Sequence, residues 1–401
     1  LVVITADRPN YKIDIGDGQT IQQNNVFGDH VIGFENLFQD VNHSTNSILE
    51  SNLQRIIPDS FKTTELLDLQ RKTQRDNERI LLDLFIKTLH NSKPVHLNVP
   101  FEEPLSEFSD QPIITISNKT KYPIKKDDLT VFNSPLIKDY KKIMILFGCA
   151  NKGILSESTI DKLSSCDNIV VLKETTSNLN NTSFFGKIDQ LIAPAELNEN
   201  SSELFNKLKP ELLITVGGMI ISKKIKSMLR TYQPTAHIHL GHNDAKDTFY
   251  KGVEHFKIDP NLFFKKSLEK LVSNYNYKKP WIDISKKRAL AHKKYLNKLP
   301  FSDLKVFSML ESRIPKKYTI QVSNSSTIRY MQLFDYNPLC RVYCNRGTSG
   351  IDGSTSTAIG ASVKSAFPVL LITGDLSFFY DSNGLWNSNI KPSFRIMILK
   401  S

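Results

Sequence analysis

Four short apolar runs in the middle of the chain constrain its fold more than any other feature. They are Lys142-Ile-Met-Ile-Leu-Phe-Gly148, Asn168-Ile-Val-Val-Leu172, Glu211-Leu-Leu-Ile-Thr-Val-Gly217 and Ala236-His-Ile-His-Leu240. Each has the length and composition of a strand. Between them, 157–165 and 223–229 carry helical spacing. Strand and helix in strict alternation describe a doubly wound parallel sheet with helices on its faces.

The same alternation returns near the C-terminal end of the sequence. Strands are expected at 316–323, 341–343, 368–373 and 395–399, with helices near 301–312, 326–334, 354–365 and 381–388. At the other end, Leu1–Thr5 reads as an apolar strand and 94–100 as a second one ending at Pro100. Leu66–His90 has helical periodicity, which places Leu81, Leu82, Leu84, Phe85 and Leu89 toward a core. Residues 28–65 are polar and irregular and are expected to form a long loop. The fold class is therefore α/β, with three doubly wound parallel-sheet domains whose first and last members are incomplete. A length of 401 residues agrees with two or three domains.

Composition excludes several classes. No apolar run is long enough to span a bilayer, and the opening residues lack a signal-peptide layout. The four cysteines form no CxxC pair, so reduced thiols in a cytoplasmic protein are expected. The net charge of +11 is scattered in short lysine clusters, without the motifs that accompany nucleic-acid binding. No nucleic-acid partner is expected. Attraction of small polyanionic substrates is compatible with the same balance. His237, His239 and His242 lack the acidic or cysteine ligands that would complete a zinc site. Gly217-Gly218 follows a strand but lacks the G-x-G-x-x-G spacing of a dinucleotide fold.

The chemistry concentrates between Tyr343 and Ser377. Gly347, Gly350, Gly353 and Gly360 surround a run of small hydroxyl residues, and Gly374-Asp375-Leu376-Ser377 closes an apolar strand. Small residues let backbone N–H groups approach a phosphate, and a helix start favours negative charge. An aspartate at the carboxyl end of a buried strand can hold Mg²⁺ beside that phosphate. Together these residues describe a metal-assisted diphosphate site. Arg8, Arg329 and Arg346 each stand at a junction of strand, loop or helix, and arginine pairs bidentately with carboxylates.

Residues 323–391 resemble the diphosphate domain of thiamine-diphosphate-dependent enzymes. More narrowly, Ser323-Asn-Ser-x-x-x-Arg329, Asn345-Arg-Gly-x-Ser-Gly-Ile-Asp-Gly353 and Gly374-Asp-Leu-Ser-x-x-Tyr-Asp-x-Asn383 resemble the 2-succinyl-5-enolpyruvyl-6-hydroxy-3-cyclohexene-1-carboxylate synthase family of menaquinone biosynthesis. So do Thr5-Ala-Asp-Arg-Pro9, with Gln19 eleven residues beyond Arg8, and Asn98-Val-Pro-Phe-Glu-Glu-Pro-Leu105. The resemblance divides the chain into the C-terminal half of a pyrimidine-binding domain (1–107), a linker (108–140), a central domain (141–275), a connector (276–300) and a diphosphate-binding domain (301–401).

The resemblance implies a transferase that decarboxylates 2-oxoglutarate and adds the succinyl carbanion to isochorismate. Its cofactors would be thiamine diphosphate and Mg²⁺ or Mn²⁺, and its assembly a homodimer or homotetramer. Arg8, Gln19, Ser325, Arg329 and Arg346 would be catalytic or substrate-binding. Ser325, Gly350, Ile351, Gly374, Asp375, Leu376 and Ser377 would bind cofactor, with Asp375 on the metal and Ile351 propping the thiamine. Lys278 is a candidate substrate contact. Two family features are absent: the glutamate that activates the aminopyrimidine, and an Asn-Asn pair near the position of Lys400-Ser401. Both are expected in segments beyond this chain. An acetolactate-type enzyme of the same superfamily, or an inactive scaffold of the same fold, are the alternatives.

Overall fold

The computed structural model describes residues 1–39, 63–101, 126–133, 137–269 and 275–400. The chain divides into two compact units, residues 1–125 and 126–401. Among the described residues, twelve strands form three sheets, and every strand pairing is parallel.

In the first unit, β1 (Val2–Asp7), β2 (Phe34–Asn36) and β3 (Val95–Pro100) lie in the order β1-β3-β2, accompanied by helix α1 (Thr63–Asn91). Val95 and Leu97 of the central strand and Leu84 of α1 form the core, with Val2, Ile32, Ile80 and Leu81 packed around them. Phe85 and Leu89, expected in that core, are 39% and 53% exposed. A three-stranded sheet covers only a narrow stripe of helix. Leu84 and Thr88 occupy it, and each next residue is rotated by about 100° away. Strand β2 falls in the stretch expected to be a loop. Its sequence Phe-Glu-Asn has no apolar run and is ordered by pairing with His96–Asn98.

The second unit holds two sheets. β4 (Ile143–Phe147), β5 (Ile169–Lys173), β6 (Leu212–Val216), β7 (Ala236–Leu240) and β8 (Glu254–Phe256) are ordered β5-β4-β6-β7-β8. Alternate residues enter opposite cores, as the strand period of two demands. Ile143, Ile145 and Phe147 pack with Leu163 and Phe263, whereas Met144 and Leu146 pack with Leu191, Ile225 and Trp281. The helices are α2 (Glu157–Ser165), α3 (Ile188–Glu196), α4 (Ser201–Leu208), α5 (Lys223–Thr231) and α6 (Pro260–Ser267). Ser156, Ser222 and Asp259 cap α2, α5 and α6 by accepting backbone N–H bonds, the usual solution for orphan donors at a helix start. The basic connector after residue 275 forms α7 (Lys278–Lys298), anchored by the buried Tyr277 and Trp281.

The last sheet contains β9 (Thr319–Val322), β10 (Arg341–Cys344), β11 (Val369–Gly374) and β12 (Arg395–Leu399) in the order β10-β9-β11-β12. It carries α8 (Asp303–Arg313), α9 (Ser326–Met331), α10 (Ser354–Lys364) and α11 (Asp375–Phe379). The helix expected at 381–388 is a 3-10 turn at Ser382–Leu385, and the α-helical turn begins earlier, at Asp375 itself. Ile221, from the loop after β6, is fully buried in the core of this last sheet and joins the two sheets. Among the described residues, no helix is long and apolar enough to cross a membrane.

Candidate active site

The site follows from sheet order. From β9 the chain moves outward to β10, then returns to the other side of β9 to make β11. The connections leaving β9 and β11 therefore diverge, which opens a crevice at their carboxyl ends, where parallel α/β sheets bind ligands. Ser323-Asn324-Ser325 leaves β9 there and Gly374-Asp375 leaves β11. Backbone and hydroxyl join them: Ser323 N donates to Ile372 O at 3.0 Å, and Gly374 N donates to Ser323 Oγ at 3.3 Å.

Asn324 organises the crevice. Its Nδ2 donates to Asn345 O at 2.7 Å and Gly350 O at 2.6 Å, tying the glycine-rich loop to β9. Its Oδ1 accepts from Arg346 Nη1 at 2.7 Å. Asn324 is almost fully buried. One side chain thus sets the position of both the loop and the arginine. The sequence reading passed over it, although it stands between the two serines of a quoted motif.

Ser325 is exposed and adopts φ +70°, ψ −134°, a region that non-glycine residues rarely occupy. Such strain persists where surrounding structure imposes it and concentrates at functional turns. Ser349 in the glycine-rich loop has φ +66°. At Gly350 a Cβ would stand 2.2 Å from Asp352 Oδ1, so a side chain there would turn the exposed Asp352 carboxylate aside. Ile351 is half-buried, and its carbonyl accepts from Ser377 Oγ, which links the loop to α11. Asp381 accepts from Ser356 N at 2.6 Å and also from the Ser356 hydroxyl, fixing the first turn of α10. Asp375 is half-buried and takes its neighbour's N–H, Leu376 N, at 2.8 Å.

The residues present fit a diphosphate and a hard cation. Ser354 Oγ and Thr355 Oγ1, at the start of the eleven-residue α10, are buried without a hydrogen-bond partner among the described residues. Buried hydroxyls normally have one, so unmet donors beside a glycine-rich loop match phosphate oxygens. The Asp375 carboxylate is the kind of hard oxygen ligand that Mg²⁺ prefers.

Glu174, which immediately follows β5, is a second residue that sequence reasoning missed. It carries the signal used for Asp375, an acid at the carboxyl end of an apolar strand. Its Oε1 accepts from Ile221 N at 3.0 Å and Ser222 N at 2.9 Å, while Oε2 is buried without a partner. Burial pushes its pKa up to about 7. Burial likewise pushes the Cys344 thiol up to about 12, so it is not a thiolate nucleophile.

In the first unit, Arg8 and Gln19 come together at the end of β1, where Arg8 Nη2 donates to Gln19 Oε1 at 3.4 Å. Gln19 holds φ +64°. Asp7, beside Arg8, accepts from Asn98 Nδ2 at 2.8 Å, and Asn98 also accepts from Thr5 Oγ1 at 2.9 Å. The motifs Thr5–Pro9 and Asn98–Leu105 therefore meet through their polar side chains; residues 102–105 of the latter lie outside the described set.

Lys278 is placed elsewhere. Its backbone N–H binds Asp167 O and its ammonium donates to Ser164 O at 2.7 Å, both before β5 begins. That is the opposite end of β5 from Glu174. Lys278 lines a cavity of about 820 Å³ along this edge strand, together with Lys173, Asn178 and Lys187. His237 Nε2 and His239 Nδ1 both bond the Thr215 hydroxyl at 3.0 Å, and burial lowers each to about 4.

No protein-family model matches the chain. Three similar curated proteins carry the name 2-succinyl-5-enolpyruvyl-6-hydroxy-3-cyclohexene-1-carboxylate synthase. The one from Christiangramia forsetii is 42% identical over 409 residues, covering all of this chain and 68% of that protein. The one from Flavobacterium johnsoniae is 42% identical over 413 residues, with 100% and 67% covered. The one from Bacteroides thetaiotaomicron is 30% identical over 419 residues, with 100% and 66% covered. The chain thus spans about two thirds of the length of the relatives it matches. With 42% identity sustained across its whole length, the chain belongs to the 2-succinyl-5-enolpyruvyl-6-hydroxy-3-cyclohexene-1-carboxylate synthase family, enzymes of menaquinone biosynthesis.

Proposed function

We propose that the protein is a thiamine-diphosphate- and Mg²⁺-dependent synthase that decarboxylates 2-oxoglutarate and joins the remaining four-carbon unit to isochorismate. The observation that carries this reading is the β9/β11 crevice, where unpartnered buried hydroxyls, a half-buried aspartate and two arginines share one sheet end. When bound, the cofactor supplies the electron sink for the charge left as CO₂ departs. Ser354, Thr355 and the Gly350–Gly353 backbone would hold its diphosphate. Asp375 would hold the Mg²⁺, with Mn²⁺ as a substitute, and Gly374, Leu376 and Ser377 would flank it.

The rest of the chemistry is orientation and charge neutralisation by the chain's own groups. Arg346 is held by Asn324, which leaves its fork pre-oriented for a carboxylate. Arg329 stands one turn beyond the strained Ser325, which presents its hydroxyl at the crevice. Ile351 keeps an apolar wall that limits water near the reacting atoms. Arg8 and Gln19 form a second carboxylate-binding pair in the first unit. A homodimer or homotetramer is supported by the exposed apolar side chains Leu376, Phe379, Tyr380 and Trp386 (60, 72, 69 and 85%) beside Asp375, a contact surface a monomer seldom leaves open. Four free cysteines agree with the cytoplasm.

Calorimetric titration of thiamine diphosphate with and without Mg²⁺ tests the reading. Asp375→Asn should abolish the Mg²⁺-dependent part of the affinity, a loss of at least about 100-fold. Unchanged affinity in that variant would remove Asp375 from the metal site. Activity with 2-oxoglutarate but not with pyruvate separates this synthase from an acetolactate-type enzyme.

A further inference from the structure

One helix gathers most of the net charge of the chain. α7 spans 21 residues and carries eight Lys and Arg side chains against one carboxylate, Asp283, a net +7 within the +11 of the whole chain. Lysine pairs that look scattered in the sequence become a repeat once the segment is helical. Lys286-Lys287 and Lys293-Lys294 are seven residues apart, about two turns, so they stack on one face. Leu290 stands between them, three or four positions from each of the four lysines, the spacing at which helix side chains are neighbours. All four lysines are exposed, and Leu290 is 65% exposed. Further along, Tyr295 and Phe301 are 57% and 86% exposed.

The other side of α7 is fixed. Tyr277 and Trp281 are buried in the core of the central sheet, and Leu296 packs against the core of the last sheet. Among the described residues, none of the four lysines has a carboxylate within 4.0 Å, and the one ion pair on the helix joins Lys279 to Asp283 at 3.5 Å. A solvated helix face ordinarily mixes both signs. This face presents one sign around an exposed leucine. Its field attracts a polyanion, and the apolar side chains select which kind. Leucine gains little along a nucleic-acid backbone, where phosphates supply most of the contacts. At a bilayer surface the lysines meet phosphate headgroups while leucine and phenylalanine enter the acyl boundary. Seven Lys to one Arg agrees with this, because the guanidinium fork is the usual reader of base edges.

We propose that this face of α7, with Phe301, docks on an anionic lipid bilayer, so that the protein lies on the surface without spanning it. Co-sedimentation of the full-length protein with vesicles of phosphatidylcholine, alone or mixed with phosphatidylglycerol, tests it. The parent should partition onto the mixed vesicles at least about 10-fold more strongly than onto the neutral ones, and high salt should weaken that partition. The quadruple variant Lys286→Gln, Lys287→Gln, Lys293→Gln, Lys294→Gln should lose about 100-fold or more. Arginine at the same four positions should preserve the binding. Leu290→Ser combined with Phe301→Ser should weaken it by about 10-fold. Thermal midpoints should match the parent, since every substituted side chain is exposed. No partition onto the mixed vesicles, equal partition onto both kinds, or an unchanged quadruple glutamine variant overturns the proposal. So does a serine variant that binds as the parent does, because the face would then select charge alone. Retention of single-stranded RNA without partition onto vesicles would assign the face to nucleic acid instead.

Discussion

The second unit contains the same topological device twice, and the two copies are used differently. In the five-stranded sheet the diverging connections leave β4 and β6; in the four-stranded sheet they leave β9 and β11. Either pair could open a ligand crevice. At β4 and β6 the backbone draws the two loops together, and a cavity of about 490 Å³ lined by Cys149, Gly217, Gly218 and Cys344, among others, remains beside them. Gly148 N donates to Val216 O at 2.9 Å and Gly218 N to Cys149 O at 2.7 Å. A Cβ on Gly148 would stand 2.0 Å from Gly218 O, so only glycine permits the approach. At β9 and β11 the loops instead carry Ser323-Asn324-Ser325 and Gly374-Asp375, with hydroxyls and cations left unmatched nearby. Topology thus offers a site, and the residues that first leave the strands decide how it is equipped.

The seam between the two sheets provides the sharpest contrast with the equipped crevice. Asn178, at φ +54° after β5, uses its amide as a strand would: Val342 N donates to Oδ1 at 2.7 Å and Nδ2 donates to Val342 O at 3.1 Å. Both residues are buried. Asn178→Ala leaves a buried N–H and a buried C=O unmet and should cost about 3 kcal/mol in urea unfolding. Binding of thiamine diphosphate should be unchanged where the variant is folded. A large loss of cofactor affinity at full stability would mean that the seam belongs to the site and that the contrast drawn here is false.

These two roles were unequally legible in the sequence. The apolar runs of β4, β5, β6 and β11 announce themselves because strands buried on both faces admit little else. Strand β2 is invisible, since Phe-Glu-Asn is ordered by its partner and not by its own pattern. Helix α7 was hidden by its lysines, although Tyr277 and Trp281 supply its buried end. At the site, glycines, Asp375 and the arginines stand out by residue type. Asn324 and Glu174 do not, because each acts through contacts that span from 21 to 48 positions in sequence and have no local signature. Lys278 shows the converse: it sits in a plausible basic stretch, and the fold delivers it to the other end of β5.

The five-stranded sheet also carries a polar cluster whose behaviour should differ from that of the site. His237 and His239 share the Thr215 hydroxyl and are lowered from 6.5 to about 4 by burial. A histidine that is harder to protonate when folded stabilises the fold fully above the unfolded value. That contribution is lost as pH falls through the window from about 6.5 to 4, because the unfolded chain takes up the proton first. Glu174 acts in the opposite sense, since its folded value is raised: the folded state keeps a proton between about 4.5 and 7 that the unfolded chain releases. Comparing the parent with His239→Asn removes the shared Glu174 contribution. Between pH 8 and pH 5 the parent should lose about 2 kcal/mol more than the variant. Equal losses would show that His239 is not held neutral, and the cluster would then be as open as the crevice it is contrasted with.

The smallest effect expected is also the most direct test of strain at the equipped crevice. Ser325 holds φ +70°, ψ −134° at the turn from β9 into α9, where a side chain is unfavourable. Strain of this kind is worth about 1–3 kcal/mol. Ser325→Gly would relieve it, while the more flexible unfolded chain takes back about 0.5–1 kcal/mol. The variant should therefore be slightly more stable, by about 0.5–1 kcal/mol, and less active, because the hydroxyl presented at the crevice is gone. At Ser222, by contrast, the serine caps α5 through an N–H bond from Ile225 at 3.1 Å and has an ordinary backbone, so Ser222→Gly should destabilise. Opposite signs for the same substitution at two loop-to-helix turns would establish that β9 ends in a turn kept for function. A destabilised Ser325→Gly would mean that the turn is set by its own packing, and the strain would carry no functional weight.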